Sequence, residues 1–181
     1  KALFADQIKG IRPIVEDKQQ VDWARAIHPL LYLSLQKQHK EVIPLDIELN
    51  TDKRILIISG PNAGGKSVCL KTVGLLQYML QCGLLIPIHE SSRTGIFKSI
   101  FIDIGDEQSI ENDLSTYSSH LTNMKHFVRN CDEKTIILID EFGSGTEPQI
   151  GGAIAEALLD RFNRNGSYGV ITTHYQNLKH F

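Results

Sequence analysis

The sequence predicts an α/β fold in which a mostly parallel central sheet is flanked by helices. Two observations carry this prediction. Short runs that are apolar on both faces indicate buried parallel strands, and segments with helical periodicity separate each run from the next. Strands that alternate with helices in this way are typical of parallel sheets with right-handed crossover connections.

The elements follow a regular order from the first core strand onward. Residues 55–58 are all apolar, as in a central strand, and a helix is predicted over residues 66–81, ended by Gly83. Further strands are predicted at residues 96–104, 135–139 and 168–172, and further helices at residues 112–129 and 149–163. The last helix is predicted to pack through one apolar face, formed by Ala153, Ala157, Leu158 and Phe162.

Length and composition fit one globular domain. The chain has 181 residues, of which 41% are hydrophobic and 22% charged, so it can form a packed core. A formal net charge of -2 excludes the global basic field that drives non-specific nucleic-acid binding. No apolar run approaches the roughly 20 residues that span a bilayer, so no membrane contact is expected. The start at Lys1, without Met or signal features, suggests an excised fragment.

The three cysteines give no sign of a metal or redox centre. Cys69, Cys82 and Cys131 have spacings that fit no zinc or dithiol template. We therefore expect reduced, structural thiols, as in a cytoplasmic protein.

A phosphate-binding pattern, G-x-x-x-x-G-K-[ST], lies between the first core strand and the helix that follows it. Its glycines let successive backbone N–H groups point at a phosphate, Lys66 supplies positive charge to the outer phosphates, and Ser67 offers a hydroxyl to Mg²⁺. The predicted nucleotide-binding residues here are Gly60, Pro61, Asn62, Ala63, Gly64, Gly65, Lys66, Ser67 and the adjoining Val68.

Two carboxylates and a histidine follow other predicted strands. Asp140 is predicted to hold Mg²⁺, usually through water, and Glu141 to orient and polarise the water that attacks a γ-phosphate. His174 follows the last strand, and parallel strands present their carboxyl ends to one ligand-binding edge. An imidazole there can sense the γ-phosphate or the water, although from position alone a structural role is the commoner alternative.

Three motifs in order resemble the ATPase domain of the MutS family, an ABC-class P-loop NTPase fold. They are residues 60–67, residues 140–146 (Asp-Glu-Phe-Gly-Ser-Gly-Thr) and residues 172–175 (Thr-Thr-His-Tyr). The resemblance begins near Ile27-His28-Pro29 and implies ATP or ADP with Mg²⁺ as the ligands. It divides the chain into residues 1–25, the end of a preceding clamp or lever region, and residues 26–181, an ATPase domain truncated at its C-terminus.

Within that family, three segments look most like MutS type 2, the paralogue without a mismatch-recognition domain. They are residues 70–76, 103–110 and 114–120. This branch is associated with branched DNA, suppression of recombination and, in some bacteria, ribosome rescue, and it commonly carries an Smr nuclease domain. The resemblance therefore implies a protein of the bacterial cytosol or nucleoid that contacts branched or junction DNA, with the ribosome as a further partner, through regions outside these 181 residues.

The resemblance also assigns roles that spacing alone leaves open. Ser115, Thr116 and Ser118 match the family's signature region, which approaches the nucleotide of the opposite subunit. This match implies a homodimer with composite ATP sites, whereas the residues alone favour an ordinary helix-capping cluster. Asn62 matches an asparagine near the γ-phosphate, where its amide can donate, and His174 gains a catalytic role by the same comparison.

The segment before the first core strand departs from the mismatch-repair relatives. Those proteins often stack adenine on an aromatic ring, whereas Val42 and Ile43 stand here. An aliphatic wall in that place implies modest discrimination between bases. Ala63 also stands where mismatch-repair members usually have methionine.

Four other functions compete with an ATP-hydrolysing domain of MutS type 2. A mismatch-repair MutS ATPase and a nucleotide-gated dimerisation module with little turnover stay open, although Glu141 argues against the latter because a water-positioning carboxylate serves hydrolysis. The loop at residues 143–146 and the absence of Leu-Ser-Gly-Gly-Gln disfavour an ABC transporter domain. A small-molecule kinase is disfavoured because no lid or acceptor pocket is recognisable.

Overall fold

The computed structural model describes residues 1–60, 65–105, 113–175 and 178, with the backbone alone over residues 113–117. The elements in chain order are α1 (Ala2–Gln7), β1 (Ile14–Val15), β2 (Val21–Ala26), α2 (Pro29–Gln36), β3 (Leu45–Leu49), β4 (Ile55–Ser59), α3 (Lys66–Gln81), β5 (Arg93–Thr94), β6 (Ser99–Asp103), α4 (Asp113–Asn130), β7 (Thr135–Ile139), α5 (Pro148–Arg164) and β8 (Tyr168–Thr173). The chain forms two compact units. The first contains Lys1–Lys53 and Lys71–Ile96, and the second contains Arg54–Leu70 and Phe97–Phe181.

The first unit contains a four-stranded mixed sheet in the order β1-β5-β2-β3. Strand β2 pairs antiparallel with β3 and β5, while β1 runs parallel to β5. Along β2, Val21, Trp23 and Ala26 are buried while Asp22 and Arg25 are not, with a register shift between Trp23 and Ala26. The sequence did not predict this sheet, because its strands are short and this bulge interrupts their alternation. The domain boundary near residue 25 stays a prediction.

The second unit contains a four-stranded parallel sheet in the order β4-β8-β7-β6. The central strands β7 and β8 are buried along their whole length, as apolar runs covered on both faces require. This sheet and its helices confirm the predicted α/β arrangement. Strands β4 and β7 and helix α3 have the predicted bounds, and β6 is three residues shorter at its start than predicted. The prediction of β4 as a central strand was wrong for the described sheet, because β4 pairs only with β8 there and is half-buried.

Helix α5 packs through a face that matches the predicted one at Phe162 and Leu158 but not at the two alanines. Its buried residues are Gly151, Gly152, Ala155, Leu159 and Phe162, whereas Ala153 and Ala157 are exposed. The prediction was wrong for the alanines because it gave the glycines no weight. A Cβ added at Gly151 would lie 2.4 Å from the Gly143 carbonyl oxygen, so this glycine allows α5 to approach the loop after β7.

The predictions about membrane-spanning segments and about the cysteines can be compared with the described residues. Among the helices of the described ranges, none is both long and apolar enough to cross a membrane. The three cysteines are free thiols, as expected, and burial raises the pKa of Cys69 to about 11. A thiol with so high a pKa is a poor nucleophile at neutral pH.

Candidate active site

The predicted chemistry gathers at the carboxyl ends of the parallel strands in the second unit. Gly60 follows β4, Asp103 ends β6, Asp140 follows β7, and His174 follows β8. Because the four strands are parallel, their carboxyl ends form one edge of the sheet, where α/β proteins bind ligands.

The ends of the phosphate-binding loop have the backbone conformation that the motif requires. Gly60 and Gly65 adopt φ angles of 146° and 80°, which side-chain-bearing residues rarely adopt. Lys66 is 5% exposed, and its Nζ donates a hydrogen bond to the Gly60 carbonyl oxygen. Ser67 is half-buried and Val68 is exposed. The other loop residues predicted to bind nucleotide, Pro61, Asn62, Ala63 and Gly64, lie outside the described residues.

Thr172 on β8 fixes the carboxylate of Asp140. The Thr172 hydroxyl donates to Asp140 Oδ1 and accepts the backbone N–H of Glu141 at 2.8 Å. Thr172 is fully buried and Asp140 is 6% exposed. One hydroxyl therefore holds both acidic residues against the neighbouring strand.

Glu141 has an unusual backbone conformation for a residue with a side chain. Its φ angle is 50°, in the left-handed region, and its backbone N–H is held by Thr172. Such conformations are disfavoured and persist where the surrounding contacts impose them. The turn continues with a bond of 2.9 Å from the Ser144 N–H to the Glu141 carbonyl oxygen. These two hydrogen bonds fix the backbone of Glu141, from which its carboxylate side chain projects.

His174 faces the carboxylate of Glu141. Its Nε2 lies 3.7 Å from Glu141 Oε1, a distance too long for a direct hydrogen bond but short enough for both groups to contact one bound water or phosphate oxygen. The two side chains are 47% and 28% exposed, so water and ligands can reach both. The structure thus brings together Glu141 and His174, the two residues that were predicted to contact the attacking water.

The segment after β8 also holds the loop after β7. Thr173 Oγ1 donates to the Phe142 carbonyl oxygen at 3.1 Å and accepts the Tyr175 N–H at 3.1 Å. The Tyr175 hydroxyl donates to the Gly143 carbonyl oxygen at 2.9 Å. His174 therefore lies between two residues that are bonded to the chain that follows Glu141.

Asp103 connects α4 to the same edge. Its Oδ2 lies 2.6 Å from His120 Nδ1, and its Oδ1 accepts the Asn123 amide at 2.8 Å. Its carbonyl oxygen accepts the Asp140 N–H at 2.9 Å. The hydrogen bond to Asp103 raises the pKa of His120 against the opposing effect of burial, and the negative charges of Asp103 and Glu141 raise it further.

A largely apolar pocket adjoins these carboxylates and opens to solvent, with an empty volume of about 380 Å³. It lies between α4, α5 and the end of β7. Its apolar walls are formed by Leu121, Met124, Phe142, Ile154 and Leu158. Its polar lining, formed by Asp103, His120, Asp140 and Glu141, places these side chains beside a surface that attracts little water.

The chemistry of the predicted metal ligands fits Mg²⁺. Ser67 offers a hydroxyl oxygen and Asp140 a carboxylate, and Mg²⁺ prefers oxygen ligands, with one or two carboxylates and several waters. Thr172 donates to Oδ1 of Asp140, and this orients the carboxylate as hydrogen bonds to metal-ligating groups commonly do. Within the described ranges, no cluster of three or more His, Cys, Asp or Glu side chains suggests a protein-only metal cage.

The remaining predicted residues are placed as follows. Val42 and Ile43 belong to the first unit, in the segment before β3, where Ile43 is 92% exposed. Ser115 and Thr116 lie in the first turns of α4, and their side chains are outside the described residues. Ser118 is exposed on the same helix. The adenine wall and the signature contacts therefore stay predictions.

Sequence reasoning missed the side chains that hold the acidic residues. All four lie in motifs that are recognisable in the sequence, but the motifs alone predict no role for them. They are Thr172, Tyr175, Asp103 and His120. The only signal for Thr172 was a hydroxyl ending an apolar run, and its partners lie 31 and 32 residues away in the chain. Such long-range pairs cannot be deduced from spacing.

A parallel strand, a glycine loop and a helix that begins at its lysine have the order found in P-loop-type ATPase domains. The chain belongs to the family described as MutS domain V, which matches residues 56–181.

Similar proteins extend over nearly the whole chain. "Endonuclease MutS2" of Clostridium kluyveri is 48% identical over 179 residues, or 99% of this chain. The proteins of the same name from Ligilactobacillus salivarius and Geobacillus sp. are 48% and 45% identical over the same share. The chain spans 22% of the length of each of these relatives.

Proposed function

We propose that this chain binds ATP with Mg²⁺ and hydrolyses it, as the ATPase domain of a MutS2-type protein. The observation that carries the proposal is the position of Glu141. Its backbone is held by Thr172, its carboxylate faces His174, and Asp140 precedes it on the strand end. A carboxylate on a backbone held in this way, next in the chain to a predicted metal ligand and at the same sheet edge as the phosphate loop, fits water activation for phosphoryl transfer.

Each predicted residue contacts a different part of the ATP·Mg²⁺ complex. Lys66 neutralises charge on the outer phosphates, and the backbone N–H groups of the loop from Gly60 to Gly65 surround them. Ser67 and Asp140 would hold Mg²⁺, directly or through water. Bound Mg²⁺ supplies charge neutralisation at the phosphate oxygens. Asn62 adds an amide donor near the γ-phosphate, and Val42 and Ile43 form an aliphatic wall for adenine.

Glu141 acts on the attacking water. Its carboxylate orients the water in line with the γ-phosphate and accepts a proton at one of its Oε atoms as the water attacks. His174 assists by holding the charge on that carboxylate and by contacting the γ-phosphate or the water. The short separation of Glu141 Oε1 and His174 Nε2, 3.7 Å, supports a shared role.

The complete site forms in a homodimer of the ABC class. Ser115, Thr116 and Ser118 of one subunit contact the γ-phosphate held by the other subunit's loop, so ATP stabilises the pairing more than ADP does. The resemblance of this segment to the family's signature region supports the assignment. So does the exposure of Ser118, because a residue that contacts another subunit must be accessible in the single chain.

The whole protein, by this proposal, acts on branched or junction DNA in the bacterial cytosol. Other regions hold the DNA, because these 181 residues carry a formal charge of -2. Recombination suppression, ribosome rescue and an Smr nuclease domain are the associated roles of the MutS2 branch. The printed name of the relatives, "Endonuclease MutS2", supports that branch, although the chain spans 22% of their length.

Glu141→Gln tests the hydrolytic role. The substitution keeps the size of the side chain but removes its ability to accept a proton. ATP·Mg²⁺ binding should stay near the parent value by calorimetry, while steady-state phosphate release should fall by about 10²-fold or more. Glu133→Gln is the matched control, since Glu133 is exposed at the amino end of the same strand. Turnover of Glu141→Gln within twofold of the parent would remove Glu141 from the mechanism, and a parent that binds ATP without turnover would favour the dimerisation module.

A mixing experiment tests the composite site. Heterodimers are isolated through two affinity tags, one subunit carrying Lys66→Ala and the other carrying Ser115→Ala, Thr116→Ala and Ser118→Ala. One of their two sites then has both halves intact, so activity should return to about half of the parent value while each homodimer stays inactive. Heterodimers as inactive as the homodimers would exclude a contact between subunits at this segment.

A further inference from the structure

Two of the segments that mark the MutS2 branch meet in the structure. Residues 103–110 begin with Asp103, residues 114–120 end with His120, and these two side chains form the pair described above at 2.6 Å. Neither the proposed hydrolysis nor the proposed signature contact gives them a role.

Both donors to the Asp103 carboxylate come from one face of α4. His120 and Asn123 are three residues apart, which places them on adjacent turns of a helix, and each bonds a different carboxylate oxygen. An ionised carboxylate only accepts, so His120 Nδ1 carries the proton in this bond. The raised pKa of His120 agrees with a charge-assisted contact.

These contacts hold the part of α4 at residues 118–123, where none of the described side chains is both buried and apolar. Within residues 118–130, the buried apolar residues of the helix are Met124 and Phe127, both in its C-terminal half. On the N-terminal side of Met124, the half-buried positions are His120 and Asn123, while Ser118 and Ser119 are exposed. Over residues 118–130, the inward face of α4 is therefore apolar from Met124 onward and polar at His120 and Asn123, next to the signature segment.

Asp103 joins that polar end to the strand that carries the acidic residues. Its carboxylate bonds α4 while its carbonyl oxygen accepts the N–H of Asp140. A Cβ added at Gly105 would lie 3.3 Å from His120 Nε2, so the ring also packs closely against the backbone that follows β6. Packing and two hydrogen bonds leave the imidazole, and the helical turn that bears it, little freedom.

We propose that His120, held by Asp103, is a positioning residue that places the N-terminal turns of α4 for contact with the nucleotide of the partner subunit. This inference rests on the proposed function, specifically on the composite site. The effect of His120 should then appear in the partner's site, while the phosphate loop, Asp140 and Glu141 of its own subunit keep their function.

The variants are His120→Leu, which removes the bond to Asp103, and His120→Gln, which keeps an N–H donor. In homodimers of the intact protein, His120→Leu should lower kcat by about tenfold or more with the KM for ATP within about threefold, because misplaced transition-state contacts affect kcat first. His120→Gln should retain part of the lost activity. His126→Leu, on an exposed position of the same helix, is the control and should keep the parent kcat. A His120→Leu homodimer within twofold of the parent overturns the inference.

Heterodimers then separate positioning from a general structural defect. A His120→Leu subunit paired with a Lys66→Ala subunit contains one site with an intact loop from the former and an intact α4 from the latter. This heterodimer should recover about half of the parent activity. No recovery here, when the heterodimer that carries the three signature substitutions does recover, overturns the positioning role and leaves the composite site standing. No recovery in either heterodimer overturns the composite site and this inference with it.

Discussion

The two ends of the parallel sheet use similar side chains for different purposes. At the amino end of β7, the buried Thr135 hydroxyl donates to Asp132 Oδ1 at 2.8 Å, three residues away. At the carboxyl end of β8, the equally buried Thr172 bonds Asp140 and Glu141, more than 30 residues away. Short-range bonds close turns, whereas these long-range bonds set the position of charged groups. We therefore expect changes at the amino ends to alter stability and changes at the carboxyl ends to alter turnover.

The largest difference between the ends should come from two lysines. Lys66→Ala removes the buried ammonium beside the phosphate loop, so ATP affinity and hydrolysis should each fall by about tenfold or more, since ground-state and transition-state contacts are lost together. Calorimetry and phosphate release measure the two effects. Lys98→Ala, at the amino end of β6, should change neither, because Lys98 is exposed and its bond to the Lys134 carbonyl oxygen uses the backbone. Unchanged ATP affinity of Lys66→Ala would contradict the assigned loop.

The two buried threonines should give the next largest difference. Thr172→Val leaves the Glu141 N–H without its acceptor and Asp140 without its donor, so kcat should fall by about tenfold and stability by roughly 1–3 kcal/mol. Thr135→Val removes a hydroxyl of equal burial, yet its partner Asp132 is exposed to water, and the loss should be about 1 kcal/mol with kcat unchanged.

Chemical denaturation measures the stability and steady-state phosphate release measures kcat, on the same samples. If both valine variants lower kcat by equal factors, the hydrogen bonds of Thr172 have no special part in positioning the acidic residues. If Thr172→Val keeps the parent kcat, the distinction between the two ends of the sheet fails at this pair.

How much of this could be read from the sequence depends on the range of the interactions. The strands β4 and β7 were predicted with their observed bounds because unbroken apolar runs indicate strands. Burial on both faces holds for β7 but not for the half-buried β4, because a run of apolar residues does not reveal the place of its strand in the sheet. The phosphate loop and the Asp140-Glu141 pair were recognisable because their chemistry requires fixed residue types at fixed spacing. Their roles remain predictions, but their shared edge follows directly from the parallel order of the strands.

The rest depended on contacts between residues that are distant in the chain. The mixed sheet of the first unit pairs β5 with β1 and β2, although β5 is two residues long and carries no strand signal. The Asp103–His120 pair joins the end of a strand to a helix, and the partners are 17 positions apart in the chain, a spacing that predicts no contact. The buried face of α5 depends on Gly151, whose importance lies in the close approach of other atoms and not in its own hydrophobicity.

Two tyrosines, one at the amino end of β8 and one just beyond its carboxyl end, should show a smaller difference in kcat between the two ends of the sheet. Tyr175→Phe removes the hydrogen bond to the Gly143 carbonyl oxygen beyond Glu141, and kcat should fall a few-fold, as expected for one neutral hydrogen bond of about 1 kcal/mol. Tyr168→Phe makes the same chemical change at the amino end of the strand, where the ring packs edge-on to Phe97 at 5.5 Å. It should leave kcat unchanged. Equal kcat in the parent and both variants would show that the loop after β7 keeps its position without Tyr175.

The smallest expected effect concerns the pH dependence of stability at the carboxyl end of β6. Bonding to Asp103 raises the pKa of His120 above its ordinary value near 6.5, against the effect of burial, and the charges of Asp103 and Glu141 add to the rise. Because the folded chain binds this proton more tightly than the unfolded chain, the stabilisation is complete below about pH 6.5 and is lost as pH rises through the folded-state pKa.

Thermal unfolding between about pH 6 and 9 measures this contribution. The melting temperature of the parent should decline over that interval by more than that of His120→Gln, which has no titrating group at this position. The difference should be small, since the His120 side chain is 23% exposed and solvent screens its charge. His126→Gln changes an exposed histidine on the same helix and should keep the slope of the parent. Identical slopes for the parent and His120→Gln would mean that the bond to Asp103 does not raise the pKa of His120 in the folded state above its value in the unfolded state.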